Sequence, residues 1–127
     1  IIIVLATDAP LLPHQLKRIA KRATMGLARM GSYAGNGSGD IFLAFSTAKP
    51  ADRDGGPSSA EFIGNDRIDP LFEASVQATE EAIVNAMVAA RDVLDGIDGN
   101  YAKAIDHRAL IDLLKQHQRY QKPTGMK

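Results

Sequence analysis

Ser38 and Asp40, inside Gly35-Asn36-Gly37-Ser38-Gly39-Asp40, are the two side chains whose types and spacing best fit chemistry. One residue separates them, so in an extended backbone the hydroxyl and the carboxylate lie on the same face. Ser38 can donate a hydrogen bond or relay a proton, and Asp40 can orient a donor or stabilise a nearby ammonium group. Asn36, Gly37 and Gly39 form the supporting loop, with a backbone free to take unusual φ/ψ values and to turn several N–H groups toward one point. The same residue types also make ordinary turns, and spacing alone leaves that alternative open.

Other chemistries fit less well. A dinucleotide fingerprint runs strand, glycine loop, helix, so that phosphate meets a helix N-terminus; the order predicted here is helix, loop, strand. The Lys-Ser/Thr ending of a P-loop is missing as well. His14 lies near a helix start, and the spacing of His107 and His117 matches neither an i, i+4 metal pair nor a zinc pattern. No metal site or cofactor is expected. The sequence has no cysteine, which removes thiolate nucleophiles, disulfides and Cys-based metal sites. A nucleophile that needs neither histidine nor cysteine is a hydroxyl residue at a newly generated N-terminus. Its own α-amine, with a reference pKa of about 7.7 to 8.0, serves as the base.

These groups must be carried by a folded framework, and 127 residues at 45% hydrophobic content can bury a core in one domain, 1–127. Fifteen Lys and Arg against fifteen Asp and Glu give zero formal charge, which argues against nucleic acid as a partner. The longest apolar run, Ile1 to Ala6, is far short of the roughly 20 residues that cross a bilayer, so no membrane segment is predicted. Composition leaves the compartment, cytoplasmic or periplasmic, open.

Ile1 to Thr7 is β-branched and continuously apolar, as expected of a strand buried on both faces. The sequence opens inside this run without Met, which reads as a cut end; proteolytic maturation and a trimmed leader both account for it. Pro13 suits a first helical turn, and Leu16, Ile19, Ala20, Ala23, Leu27 and Met30 recur at helical spacing until Gly31. Lys17, Arg18, Lys21, Arg22 and Arg29 fall off that stripe and read as a solvated basic face, with an anion site as the alternative. Ile41 to Thr47 predicts a second central strand, Lys49 to Ser59 a loop, and Ala60 to Ile63 a short strand. Asp69-Pro70 opens a long helix over Pro70 to Leu94, with Met87 as core filler. Its small residues Ala74, Ala78, Ala82, Ala86 and Ala90 permit close packing. The chain breaks over residues 95–100, Asp106 caps a last helix through Gln118, and the tail after Arg119 is loose. The order predicts α/β layers with too few strands for a complete sheet, which calls for strands from elsewhere.

IIIVLATDAPLLPHQL (Ile1 to Leu16) and GNGSGDIFLAFSTA (Gly35 to Ala48) resemble the catalytic β chain of the L-aminopeptidase/D-esterase and β-peptidyl aminopeptidase family. The likeness continues through DPLFEASVQATEEAIVNAM (Asp69 to Met87) and DGNYAKAIDH (Asp98 to His107), and so covers most of the chain. The resemblance implies a precursor that cleaves itself before a serine into an N-terminal α chain and a C-terminal β chain. The new N-terminal serine then attacks the first amide or ester carbonyl of a small peptide, amide or ester. An acyl-enzyme forms, and hydrolysis releases one amino-terminal residue without metal. The implied fold is a four-layer αββα sandwich completed by the separate N-terminal α chain, with αβ units in a higher oligomer.

Carried onto this sequence, the family pattern makes Ser38 and Asp40 the second serine and the acidic residue beside the nucleophile. Some relatives have Glu at the acidic position; Asp is shorter by one methylene, so its reach differs. The family's serine would directly precede Ile1. The α chain supplies most of the oxyanion hole and the pocket for the substrate amine. A related ornithine-type acyltransferase, which uses threonine, and a non-catalytic α/β interaction domain are the competing readings.

Overall fold

Both strands read as wholly apolar, yet their side chains alternate between covered and bare. The computed structural model describes residues 1–48, 59–94, 96 and 99–121. Residues 49–58 of the expected loop, 95, 97 and 98 of the expected break and 122–127 of the tail lie outside the described residues. Strand β1 spans Ile2–Thr7 and β2 spans Ile41–Ser46, and they pair in parallel with Ile2 opposite Ile41 and Thr7 opposite Ser46. Parallel pairing requires a crossover, which helix α1, Pro13–Arg29, supplies. On one face Ile3, Leu5, Phe42 and Ala44 are half-buried; on the other Ile2, Val4, Ile41, Leu43 and Phe45 are exposed. The expected strands buried on both faces are therefore not found among the described residues, where helices cover one face.

The chain divides into two compact units, Ile1–Ile83 and Val84–Lys127. In the first, Ile19 of α1 packs with Ile68 and Phe72, and Leu5, Leu11, Ala44 and Leu71 close around them. Phe72 belongs to helix α2, Asp69–Ala89. The guanidinium of Arg22 sits 3.9 Å from the centre of its ring and that of Arg18 sits 4.9 Å away. These two members of the basic face are thus cation–π covers on a core residue as well as solvated charges. Arg29 pairs with Glu80 of α2 at 2.9 Å.

Helix packing is tightest where the sequence carries a glycine on α1. A Cβ at Gly26 would lie 2.7 Å from both the Thr79 Cβ and the Val76 carbonyl oxygen, so only glycine allows this approach of α1 and α2. The alanines of α2 do something else: Ala74 and Ala78 border an apolar cavity of about 140 Å³ beside Leu5 and Thr7 of β1.

Gln15 is fully buried and fully used. Its Oε1 accepts the Leu12 N–H at 3.0 Å at the start of α1, where Pro13 has no N–H that needs an acceptor. Its Nε2 donates to Ile63 O at 2.7 Å and to Asn65 Oδ1 at 3.3 Å. This clamp fixes the segment leading into the 3₁₀ turn Asn65–Arg67. Ala60 to Ile63 is not a strand; one backbone bond, Ile63 N–H to Pro10 O at 3.0 Å, ties it down.

In the second unit the chain pairs Val93 with Ala102 in an antiparallel bridge, and Asp92 accepts the Ala104 N–H at 2.8 Å. That pairing takes the backbone away from helical bonding, so α2 ends at Ala89 rather than Leu94. Met87 is 42% exposed, not core filler. Helix α3, His107–Gln116, starts as expected at Asp106, whose Oδ1 accepts from the N–H of Arg108 and of Ala109 at 2.8 and 3.1 Å. It stops before Gln118, which has a φ of 55°.

Candidate active site

The first unit brings its reactive groups together at the N-terminal end of the two strands. Helix α1 ends in a Schellman motif: Gly31, at φ 100°, donates its N–H to Ala28 O at 2.9 Å, and Ser32 donates to Leu27 O at 3.3 Å. The chain then leaves the helix axis and turns again at Ala34, which holds φ 52°. A tight turn follows, closed by Ser38 N–H to Gly35 O at 2.8 Å, and delivers the chain into β2.

Register does the rest. The Ile41 N–H donates to Ile1 O at 3.0 Å, so the residue before Ile41 is brought alongside Ile1. Ser38 Oγ donates to Asp40 Oδ1 at 2.7 Å, within the range of an O–H donor on a carboxylate. The Ile1 nitrogen lies 3.5 Å from the same Oδ1. The Asp40 side chain is only 15% exposed, so water screens these contacts incompletely.

Asp40 also forms one wall of a cavity of about 190 Å³. Thr24, Leu27 and Ala28 from the last turns of α1 line it together with Ser32, Tyr33 and Ala34. Ser38 and Asp40 are brought together as their spacing predicts, while Asn36, Gly37 and Gly39 flank them without a bond to either side chain. The loop does not work through its glycines as expected. Gly35, Gly37 and Gly39 have no left-handed φ, and the unusual backbone lies at Gly31 and Ala34. A Cβ at Gly37 or Gly39 would meet nothing within 4 Å. The cavity and the Ile1 contact carry no sequence signal; only Gly31 after the apolar stripe marks where α1 must turn.

The histidines lie elsewhere. His107 Nε2 is 3.0 Å from Val88 O, and His117 caps α3. Among the described residues no group of three or more His, Asp or Glu side chains is placed to hold a metal ion.

The model of peptidase family S58 matches residues 1–102. The chain belongs to this family. As an S58 chain it is 52% identical over 121 residues to the beta-peptidyl aminopeptidase of Sphingosinicella microcystinivorans, covering 94% of this chain and 30% of that protein. It is 42% identical over 118 residues to the enzyme of the same name from Sphingosinicella xenopeptidilytica, covering 91% of this chain and 29% of that one. The chain therefore spans about 30% of the length of these relatives. Among solved structures it is similar to the L-aminopeptidase D-Ala-esterase/amidase of Ochrobactrum anthropi, described as a prototype serine aminopeptidase and a variant of the Ntn hydrolase fold. That match has a TM-score of 0.84 at 45% identity and covers 93% of this chain and 34% of that one. A Burkholderia beta-aminopeptidase matches with a TM-score of 0.78 at 43% identity, over 91% and 34% of the two chains. The S58 chain is thus an α/β segment with the fold of the corresponding third of these enzymes.

Proposed function

We propose that this S58 chain is the catalytic β chain of an aminopeptidase whose nucleophile is a serine joined to the Ile1 nitrogen and freed by self-cleavage of a longer precursor. The observation that carries this reading is the convergence of Ser38 Oγ and the Ile1 nitrogen on Asp40 Oδ1, at 2.7 and 3.5 Å. A residue attached at Ile1 begins beside that carboxylate. Its hydroxyl attacks the carbonyl of an amino-terminal residue, and its α-amine takes the proton. Ser38 hands hydrogen bonding between the nucleophile and Asp40, while Asp40 holds positive charge at the amine. Water then resolves the acyl-enzyme and releases the residue. Asn36, Gly37 and Gly39 leave bare backbone beside the reacting groups. Substrates are small peptides, amides or esters with a free amine, in keeping with the beta-peptidyl aminopeptidases and the L-aminopeptidase it resembles.

The bare face of the β1–β2 pair supports a four-layer αββα sandwich in which an α chain from the same precursor supplies the second sheet. The α chain also provides most of the oxyanion donors and of the amine pocket, and αβ units assemble into a higher oligomer. Ser38→Ala in the full-length precursor tests the site. Self-cleavage or substrate hydrolysis is expected to slow by roughly 10²-fold or more, the usual worth of a positioned proton-transfer group. Unchanged rates for both would remove Ser38 from the mechanism. Amino-terminal sequencing of the mature β chain identifies the residue joined to Ile1, for which serine is expected.

A further inference from the structure

We infer that the cavity behind Asp40 is the subsite for the side chain of the amino-terminal residue that the enzyme releases, an inference that rests on the aminopeptidase reading above. Three observations carry it. The first is position: Asp40 lines this cavity and is also the acceptor for Ser38 and the Ile1 nitrogen, so the cavity abuts the residue on which the reacting groups converge. The second is size. At about 190 Å³ it is smaller than the roughly 300 to 1,000 Å³ of pockets that enclose whole small molecules, and it suits one side chain.

The third is chemistry. The lining surface is mostly apolar, with Leu27, Ala28 and Ala34 beside the polar residues Thr24, Ser32, Tyr33 and Asp40. The hydroxyl of Ser32 already accepts the Ala34 N–H at 3.3 Å, and Asp40 Oδ1 already accepts from Ser38. An apolar side chain entering here meets carbon and leaves those bonds in place. The cavity exists because of local backbone geometry. Gly31 throws the chain off the end of α1, Ala34 turns it back at φ 52°, and the small side chain of Ala28 leaves the space between unfilled. Depth is then set by Leu27 and Ala28, which makes them specificity-determining residues without any part in proton transfer.

The test uses the full-length precursor and p-nitroanilides of alanine, leucine and phenylalanine, so that the leaving group is constant and only the released residue varies. Ala28→Leu extends an exposed helix position into the cavity and is expected to lower kcat/KM for the leucyl relative to the alanyl substrate about tenfold. Leu27→Ala deepens the cavity and is expected to raise the phenylalanyl-to-alanyl ratio by about the same factor. Self-cleavage should proceed in both variants. A self-cleaved, active enzyme whose ratios stay within twofold in both variants overturns the inference. So does a change that follows the leaving group, tested with alanyl dipeptides of differing second residue, and leaves the anilide ratios alone. An unsubstituted protein that neither cleaves itself nor hydrolyses any of the anilides overturns the aminopeptidase reading and this inference with it.

Discussion

The two faces of the β1–β2 pair are built from the same kinds of residue and end in different surroundings. Ile3, Leu5, Phe42 and Ala44 lie under the helices, whereas Ile2, Val4, Ile41, Leu43 and Phe45 remain 70%, 54%, 58%, 56% and 44% exposed. At about 25 cal/mol per Å² of apolar surface, leaving that face in water forfeits several kcal/mol. A contiguous apolar face of this kind marks an interaction site. Among the described residues one face of the strands is covered, and the other is the face that the proposed second sheet would cover.

The comparison can be tested by removing side chains from each face, always in the full-length protein. Ile68→Ala, in the covered core, is expected to cost about 2 to 5 kcal/mol in denaturant unfolding, the usual penalty for a cavity. Leu43→Ala, on the bare face, is expected to cost a similar amount if the proposed second sheet covers it. A loss within about 0.5 kcal/mol at Leu43, typical of a surface site, would mean that the face stays open and the proposed sandwich is wrong.

Gly26→Ala tests the helix layer behind the covered face. Its new methyl would press on the Val76 carbonyl and on Thr79, at an expected cost of about 1 to 3 kcal/mol. Gly31→Ala places a Cβ at φ 100° and is expected to cost about 1 to 2 kcal/mol, read as a lowered Tm. Because Gly31 also aims the loop that ends at Asp40, activity should fall more than stability alone accounts for. The smallest effect is expected at Gly37→Ala: stability within about 0.5 kcal/mol of the parent, since nothing in this chain meets the added methyl. If hydrolysis drops while stability holds, the methyl is meeting substrate or the partner chain.

Much of the framework was legible because its signals are local. The start of α1 at Pro13, its stop before Gly31 and the Asp106 cap each follow from one residue's backbone or hydrogen-bonding preference. The early end of α2 was not legible, because Val93 pairs with Ala102 across an intervening break. Met87 was misread for a related reason: its spacing fits a helical stripe, but a stripe is buried only where a neighbour lies against it.

The site divides along the same line. The sequence by itself determined that a hydroxyl and a carboxylate at positions 38 and 40 would share one face ahead of a strand, since alternation is a property of the extended chain. It also carried the likeness that places the chain in the S58 peptidases. Only the tertiary structure decided that the parallel register of β1 and β2 sets the Ile1 nitrogen beside Asp40. It likewise decided that the turns at Gly31 and Ala34 open a cavity behind that carboxylate. The first depends on segments some forty residues apart meeting at fixed register, which no local preference can reach; the second depends on how residues 24–34 and Asp40 fold against one another, which becomes visible only in three dimensions.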